Sequence, residues 1–437
     1  CIEDEIPFEL PEGWEWCRFT SVTVNRDSER KPISSANRTN VAKIYDYYGA
    51  SGKIDKIDKF IFNEKLLLIG EDGANLVTRS KPIAFFAEGQ YWVNNHAHCI
   101  DSTDKLILEY LCLYINAISL EKYVTGSAQP KMTQDNMNSI LIALPPYEEQ
   151  KRLEFQVNHI LKTVSTIENE KEDIVNYIIS AKSKILDLAI RGKLVPQDSN
   201  DEPASVLLER IRAEKEELIK QGKIKRDKKE SIIFKGEDNS YYEKVGVEIR
   251  CIDSEIPFEI PDGWMYERLG NICSIARGGS PRPIENYLTD DENGLNWIKI
   301  GDTEQGGKYI YSTKEKIRPE GLSKTRYVCS GDFLLTNSMS FGRPYILRTN
   351  GCIHDGWLVI GGIEIAFHQD YLYYMLSSSI MYNALSSLAV GSTVKNLKSD
   401  SVKSLLVPIP PLAEQACISR QIENYFATML PIERSLS

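Results

Sequence analysis

The sequence predicts an α+β protein: two pseudo-repeated mixed α/β domains separated by long antiparallel coiled-coil helices. Three observations carry that prediction. "CIEDEIPFELPEGW" at Cys1–Trp14 returns as "CIDSEIPFEIPDGW" at Cys251–Trp264, with ten identities in fourteen positions at an offset of 250. "GSAQPKMTQDNMNSILIALPPYEEQ" from Gly126 aligns without gaps to "GSTVKNLKSDSVKSLLVPIPPLAEQ" from Gly391, an offset of 265. Paired borders of this kind mark two copies of one unit. Between the copies, Leu153, Val157, Ile160, Val164, Ile167, Lys171, Ile174, Ile178, Ala181, Ile185 and Leu188 alternate spacings of four and three, the 3.5-residue period of a coiled-coil seam.

Bulk properties bound the rest. A chain of 437 residues accommodates two or three domains, each with its own core. Its 42% hydrophobic and 26% charged content is that of a soluble globular protein, and no apolar run approaches the roughly 18 to 20 residues of a membrane span. Nine cysteines, odd in number and never spaced Cys-x-x-Cys, point to a reducing cytosol and away from zinc or redox pairs. The sequence opens at Cys1 inside a motif, so residues are expected upstream of it, with room for a targeting segment. The net charge of −10 opposes nucleic acid overall, but counterion release depends on the cations lining one surface. Arg26–Lys59 holds eight Lys/Arg against five Asp/Glu, and Lys308–Arg348 eight against three. Two basic islands sit in an acidic chain.

The first domain is expected over residues 1–147. "YYGASGK" (Tyr47–Lys53), "LLLIGEDGANLVTR" (Leu66–Arg79) and "YWVNNHAH" (Tyr91–His98) are short apolar runs bounded by Gly, Asp and Asn, which reads as strands ending in turns. Arg and Lys recognise guanine or phosphate, and Asn recognises adenine. Lys53, Asn75, Arg79, Asn94 and Asn95 are the candidate contacts, with Tyr47 and Tyr48 for sugar or base. The competing readings are turn positions for Asn94 and Asn95 and core packing for the tyrosines. His96, His98 and Cys99 invite a metal reading, but in a strand Cys99 faces away from the histidines and no second ligand pair follows, so no metal is expected. Glu71-Asp72 and Asp332 read as turn residues, and no catalytic residue is expected.

"LPPYEEQ", Leu144–Gln150, resembles the Pro-Pro-Tyr with which DNA amino-methyltransferases hold a flipped base. That chemistry needs a side-chain acceptor before the prolines, and Leu144 offers none. The second copy reads Ile409-Pro-Pro-Leu412 and keeps Pro-Pro-x-x-Glu-Gln, which predicts a strand end, a rigid turn and a helix start with Glu149 or Glu414 at its positive end. From Glu148 to Arg191 the helix spans roughly 66 Å at about 1.5 Å per residue, and Gly192 and Pro196 stop it. Pro203–Gln221 reads as a second amphipathic helix, with Val206, Leu207, Ile211 and Leu218 inward and Asp201 and Glu202 at its start. "KIKRDKK", Lys223–Lys229, reads as a solvated run opening a linker to residue 250, with phosphate contact as the alternative.

The second domain is expected over residues 251–411. "ARGGSPRP" (Ala276–Pro283), "LNWIKIGD" (Leu295–Asp302), "GLSKTRYV" (Gly321–Val328), "FLLTNSMSFGRPYI" (Phe333–Ile346) and "GCIHDGWLVI" (Gly351–Ile360) fill the same borders differently. Arg277, Arg282, Lys299, Lys324, Arg326, Ser338 and Arg343 are the candidate DNA contacts. Residues 412–437 predict a terminal helix with Ile418, Ile422, Tyr425, Met429, Ile432 and Leu436 along its seam, pairing with Leu153, Val157, Ile160, Val164, Ile167, Ile174, Ile178, Ile185 and Leu188 of the long helix. Only 22 residues follow Gln415. Half of the long seam is therefore left for a continuation of the chain or for another subunit.

The paired "EIPFELPEGW" and "EIPFEIPDGW", "YYGASGKID", "LIGEDGAN" with "WVNNHAH", "GSTVKNL", "PPLAEQ" and "ILDLAIRGKLVPQDSNDEPASVLLERIRAEKEEL" (Ile185–Leu218) span nearly the whole chain. On these stretches it resembles the specificity subunit of type I restriction-modification enzymes. The resemblance implies two target-recognition domains that each bind one half of a split, asymmetric site in double-stranded DNA, held apart by antiparallel helices. It implies a subunit without catalytic activity or cofactor of its own, cytoplasmic and free of membrane. Two methyltransferase subunits using S-adenosylmethionine would dock on it, and through them restriction subunits using ATP and Mg. The competing readings are a self-contained DNA methyltransferase or nuclease with fused recognition domains, and a coiled-coil protein scaffold.

Overall fold

The computed structural model describes residues 5–39, 41–126, 128–226, 230–304, 306–338, 341–389 and 396–436. Contacts divide the chain into two compact units, residues 1–169 and 170–437. The four segments expected from the sequence group differently here, because the second helix and the terminal helix share one core with the second α/β domain. The long helix, Tyr147–Ile190, runs unbroken through the boundary.

In unit 1 the two repeated borders meet as an antiparallel strand pair, with Glu15 opposite Leu144 and Arg18 opposite Leu141. Two four-stranded sheets fill the space between the borders. One runs Val24–Asn25, Ala97–Asp101, Leu66–Gly70, Ala84–Ala87, antiparallel throughout. The other runs Gly52–Ile57, Tyr45–Gly49, Gln90–Val93, Phe62–Asn63, with its central pair parallel. Leu66–Gly70 is buried at every position because both of its faces are covered, as its unbroken apolar run requires. Leu67 and Ile69 pack toward the helix Lys105–Ala117, while Leu66 and Leu68 pack with Tyr91 and Val93 of the other sheet.

Unit 2 repeats the plan with larger sheets. Met265–Arg268 pairs with Leu406–Ile409 in the equivalent register, Met265 opposite Ile409. The two five-stranded sheets are centred on Phe333–Thr336, buried at every position, and on Leu295–Ile298. Residues 231–250, read as linker, form instead, with Cys251, a three-stranded antiparallel meander of Ser231–Lys235, Tyr241–Val245 and Glu248–Cys251. Its turns use left-handed positions at Asn239 (φ 65°) and Gly246 (φ 59°), and Ile233 joins the main core. Of the charge run before it, residues 227–229 lie outside the described residues. Arg226 is held by Glu216 at 2.6 Å.

Two helical faces differ from expectation. The second helix, Ala204–Lys220, buries Ala204, Leu207, Leu208 and Ile211, so Leu208 takes the inward place expected of Val206, which is exposed, as is Leu218. The terminal helix, Leu412–Leu436, buries Ile418 and Ile422 but turns Tyr425 and Ile432 outward. Phe426 packs inward instead, beneath the Lys182 ammonium at 5.4 Å. Successive steps of four follow the i, i+4 ridge of a helix lying on a globular core, which drifts off a strict heptad.

The long helix ends at a left-handed Gly192 (φ 66°), with the Lys193 N–H returned to the Leu188 carbonyl at 2.9 Å. Its last turns run antiparallel to the terminal helix. Gln197 reaches Glu414 at 2.6 Å near one end, and Lys182 reaches Glu433 at 2.6 Å near the other. Ile178 is buried, Ile185 packs on the core, and Leu188 is half-buried. Nearer the start, Leu153 packs on the core of unit 1 and Val157 is half-buried, but Ile160, Val164, Ile167 and Ile174 are exposed, Ile167 by 59%. Among the described residues no helix is long and apolar enough to cross a membrane.

Candidate nucleic-acid interface

The same backbone bonds gather three segments at one edge of each unit. In unit 1 the central strand ends at Glu71, whose N–H donates to the His96 carbonyl at 2.9 Å and whose carbonyl accepts from the Met132 N–H at 2.8 Å. In unit 2 Asn337 takes that place, donating to the Gly356 carbonyl at 2.9 Å and accepting from the Leu397 N–H at 2.9 Å. The hairpin tips match as well. Asn94 Oδ1 accepts the His96 N–H at 2.8 Å, and His354 Nδ1 accepts the Gly356 N–H at 2.8 Å. One scaffold edge is built twice, and its side chains differ.

In unit 1 the edge is closed by contacts to two carboxylates. His96 at the exposed tip lies 2.7 Å from Asp72, and Glu71 holds Arg30 at 2.6 Å and Lys131 at 3.1 Å. Beneath them, buried His98 stands between Asp27, at 2.6 Å from Nδ1, and the Met132 carbonyl, at 3.0 Å from Nε2. Burial works to raise the Asp27 carboxyl, but hydrogen bonds from His98 and the Cys99 N–H, with the charge of Arg30 nearby, hold it below the usual range.

In unit 2 the edge is cationic around one carboxylate. Asp355 Oδ1 accepts from the Ser280 hydroxyl at 2.7 Å, and Oδ2 lies 3.3 Å from Arg282 and 3.9 Å from Arg277. The Asp355 carbonyl accepts from Arg277 Nε and from Asn337 Nδ2, both at 2.8 Å. Arg326 Nε donates to the Arg277 carbonyl at 3.2 Å. Glycines let these segments close up: a Cβ on Gly278 would sit 2.2 Å from the His354 carbonyl oxygen, and one on Gly279 2.6 Å from that of Lys324.

Several sequence candidates prove to be scaffold. Tyr47 is 1% exposed, its hydroxyl donating to the Ile33 carbonyl at 3.2 Å, so it is core and not a base contact. Tyr48 packs between Phe85 and Tyr91. Arg79 donates to the carbonyls of Ile115, Asn116 and Ile118 and so caps the helix Lys105–Ala117. Asn75 ties its own loop by accepting from Ser80 and Lys81, and Asn94 is a buried turn residue. Lys299 is held by Glu315 at 2.5 Å.

Other candidates remain outward. Asn95 is exposed at the hairpin tip, and Lys53 is half-exposed against Asp46 at 2.6 Å. Arg277, Arg282 and Arg326 share the Asp355 edge, Ser338 follows Asn337 in chain order, and Lys324 lies beside Gly279 with its ammonium on the Tyr287 hydroxyl at 2.6 Å. Arg343 is exposed and lines a groove with Ile179 and Tyr382. Sequence reasoning missed Asp72, His96, Lys131 and Asp355 as members of the edge. Aligning Asn94–His96 with His354–Gly356 by their turn chemistry is the signal that finds them.

The comparisons with known proteins agree with this duplicated plan. The family model described as type I restriction modification DNA specificity domain matches residues 11–185 and again 261–436. The type I restriction enzyme EcoEI specificity subunit of Escherichia coli is 28% identical, over 97% of this chain and 79% of that protein. The EcoAI specificity subunit of Escherichia coli is 29% identical, over 63% of this chain and 54% of its own length. A chain from a solved structure described as the basis of complex assembly and conformational transition of the type I R-M system superposes with a TM-score of 0.55 at 16% identity, covering 98% of this chain and 94% of that one. With two matches that follow the internal repeat, this chain belongs to the type I restriction-modification DNA specificity family.

Proposed function

We propose that each unit reads one half of a bipartite, asymmetric site in double-stranded DNA, and that bond-making belongs to methyltransferase subunits docked on the helices. One observation carries this reading: the same edge is assembled twice by the same backbone bonds and carries different side chains, as two unlike readers require. Asn95 and Lys53 in unit 1, and Arg277, Arg282, Lys324, Arg326 and Ser338 in unit 2, are the proposed contacts. S-adenosylmethionine, ATP and Mg are assigned to the partner subunits, with restriction subunits joining through the methyltransferases. The exposed seam from Ile160 to Ile174 is the proposed docking face.

Mapping the methylated motif in DNA exposed to the assembled complex tests the reading. Replacing Gly270–Leu405 by the corresponding segment of another family member is expected to change one half of the motif. A continuous motif, a change in both halves, or methylation by this chain alone would each overturn it.

A further inference from the structure

Resting on the reading of unit 2 as a DNA reader, we infer that Asp355 is a specificity-determining positioning residue, one that presets Arg277 and Arg282 for base edges and keeps them from settling on phosphate. The two guanidinium groups come from either end of one short loop, and Asp355 ties both: its main-chain carbonyl takes Arg277 Nε at 2.8 Å and its Oδ2 takes Arg282 at 3.3 Å. Asp355 is itself fixed from two other sides, by the Ser280 hydroxyl at 2.7 Å and by Asn337 Nδ2 on its carbonyl at 2.8 Å. The arginines remain outward, Arg277 by 50% and Arg282 by 74%, and the carboxylate is 41% exposed between them. Each guanidinium has five N–H donors, so most stay free for the paired acceptors of a guanine edge.

A carboxylate at this place weakens attraction to phosphate, which is the sequence-independent part of DNA affinity. It also restrains Arg282 directly, while the main-chain carbonyl of the same residue holds Arg277. Asp355 therefore trades general affinity for discrimination. In unit 1 the equivalent tip residue is the neutral Asn95, and the nearby anion, Asp72, is taken by His96 at 2.7 Å, so among the described residues the device is found in unit 2.

The test uses the full chain assembled with its methyltransferase partner, on duplex libraries randomised across both half-sites, with binding measured against non-specific duplex at several salt concentrations. Asp355→Asn keeps the size of the side chain and the backbone contacts. It is expected to lower discrimination in one half-site by about tenfold or more, the order of one bidentate base contact, to leave the other half unchanged, and to keep or raise non-specific affinity with a steeper salt dependence. Asp355→Glu restores the charge and is expected to recover part of the discrimination. Unchanged discrimination in Asp355→Asn overturns the inference, and so does an equal loss in both halves, which would mark a folding role. The segment exchange described above separately reports whether unit 2 reads a half-site at all.

Discussion

The indole N–H of Trp264 donates to the Glu414 carboxylate at 2.8 Å, and the equivalent bond joins Trp14 to Glu149 at 3.2 Å. These residues belong to the two repeated motifs, far apart in sequence, so each motif is one half of a clasp that closes its unit. The neighbouring glutamines complete it: Gln150 Nε2 donates to the Pro145 carbonyl at 2.9 Å and Gln415 Nε2 to that of Pro410 at 3.0 Å. Arg18 and Arg268 each bind a glutamate of the same border, Glu5 at 2.9 Å and Glu255 at 2.7 Å. Pro-Pro-x-x-Glu-Gln is thus a structural joint, which is why one copy can replace Tyr147 by Leu412.

The clasp in unit 2 is the deeper of the two, with Trp264 and Glu414 both buried. Trp264→Phe is expected to cost about 2–4 kcal/mol, combining a small cavity with a buried carboxylate that has lost a donor. Trp14→Phe, at a half-exposed site, is expected to cost about 1 kcal/mol or less. Urea unfolding of the two variants ranks them, and equal losses would contradict the difference in burial.

Glu243 of the meander gives a pH prediction. The hydrogen bond from Arg268, helped by Ser231 and Arg250 and opposed by burial, brings its carboxyl down to about 2. A folded value below the unfolded one, about 4.3, means the stabilisation is complete above that unfolded value and is lost as pH falls toward 2. Glu243→Gln is expected to lower stability near neutrality by about 3 kcal/mol at most and to match the parent near pH 2. Thermal unfolding across that range shows whether the two curves converge.

The long helix separates stability from assembly. Ile167→Glu, on the exposed stretch, is expected to change the unfolding free energy by less than about 0.5 kcal/mol while weakening association with the methyltransferase partner. Ile178→Ala, at a buried position, is expected to cost about 2–4 kcal/mol. If Ile167→Glu unfolded the chain as readily as Ile178→Ala did, the seam would be buried and not a docking face.

What the sequence made legible follows from where periodic burial acts alone. The duplicated frame and the helix Tyr147–Ile190 could be read because the borders repeat and the apolar stripe is long. The meander at 231–251 escaped because a short strand such as Ser231–Lys235 buries only alternate residues and follows a charge run. Arg79 looked like a DNA contact because a cation after a glycine turn has the same sequence appearance whether it meets phosphate or helix carbonyls. Tyr425 carries the four-three rhythm in the sequence while Phe426 packs on the core, because a step of three or of four is undecidable until the core beneath the helix is known. The edge residues were hardest, since Asp355 and Asn95 become equivalent only once their strands are paired.

The last prediction concerns spacing. Deleting one heptad, Ile160 through Thr166, removes about 10.5 Å of helix at about 1.5 Å per residue and preserves the phase of the seam, because seven residues return it to nearly the same face. The deleted stretch is exposed at every position, so unit folding is expected to survive. If the helix sets the distance between half-sites, the tolerated gap shortens by about three base pairs at about 3.4 Å each, or methylation is abolished because the shortened step also rotates one half-site around the duplex by roughly a third of a turn. Motif mapping with substrates of every gap length distinguishes these outcomes. An unaltered gap with full methylation would show that the spacing is set by the DNA or the partner subunits, and that the helix only tethers the two readers.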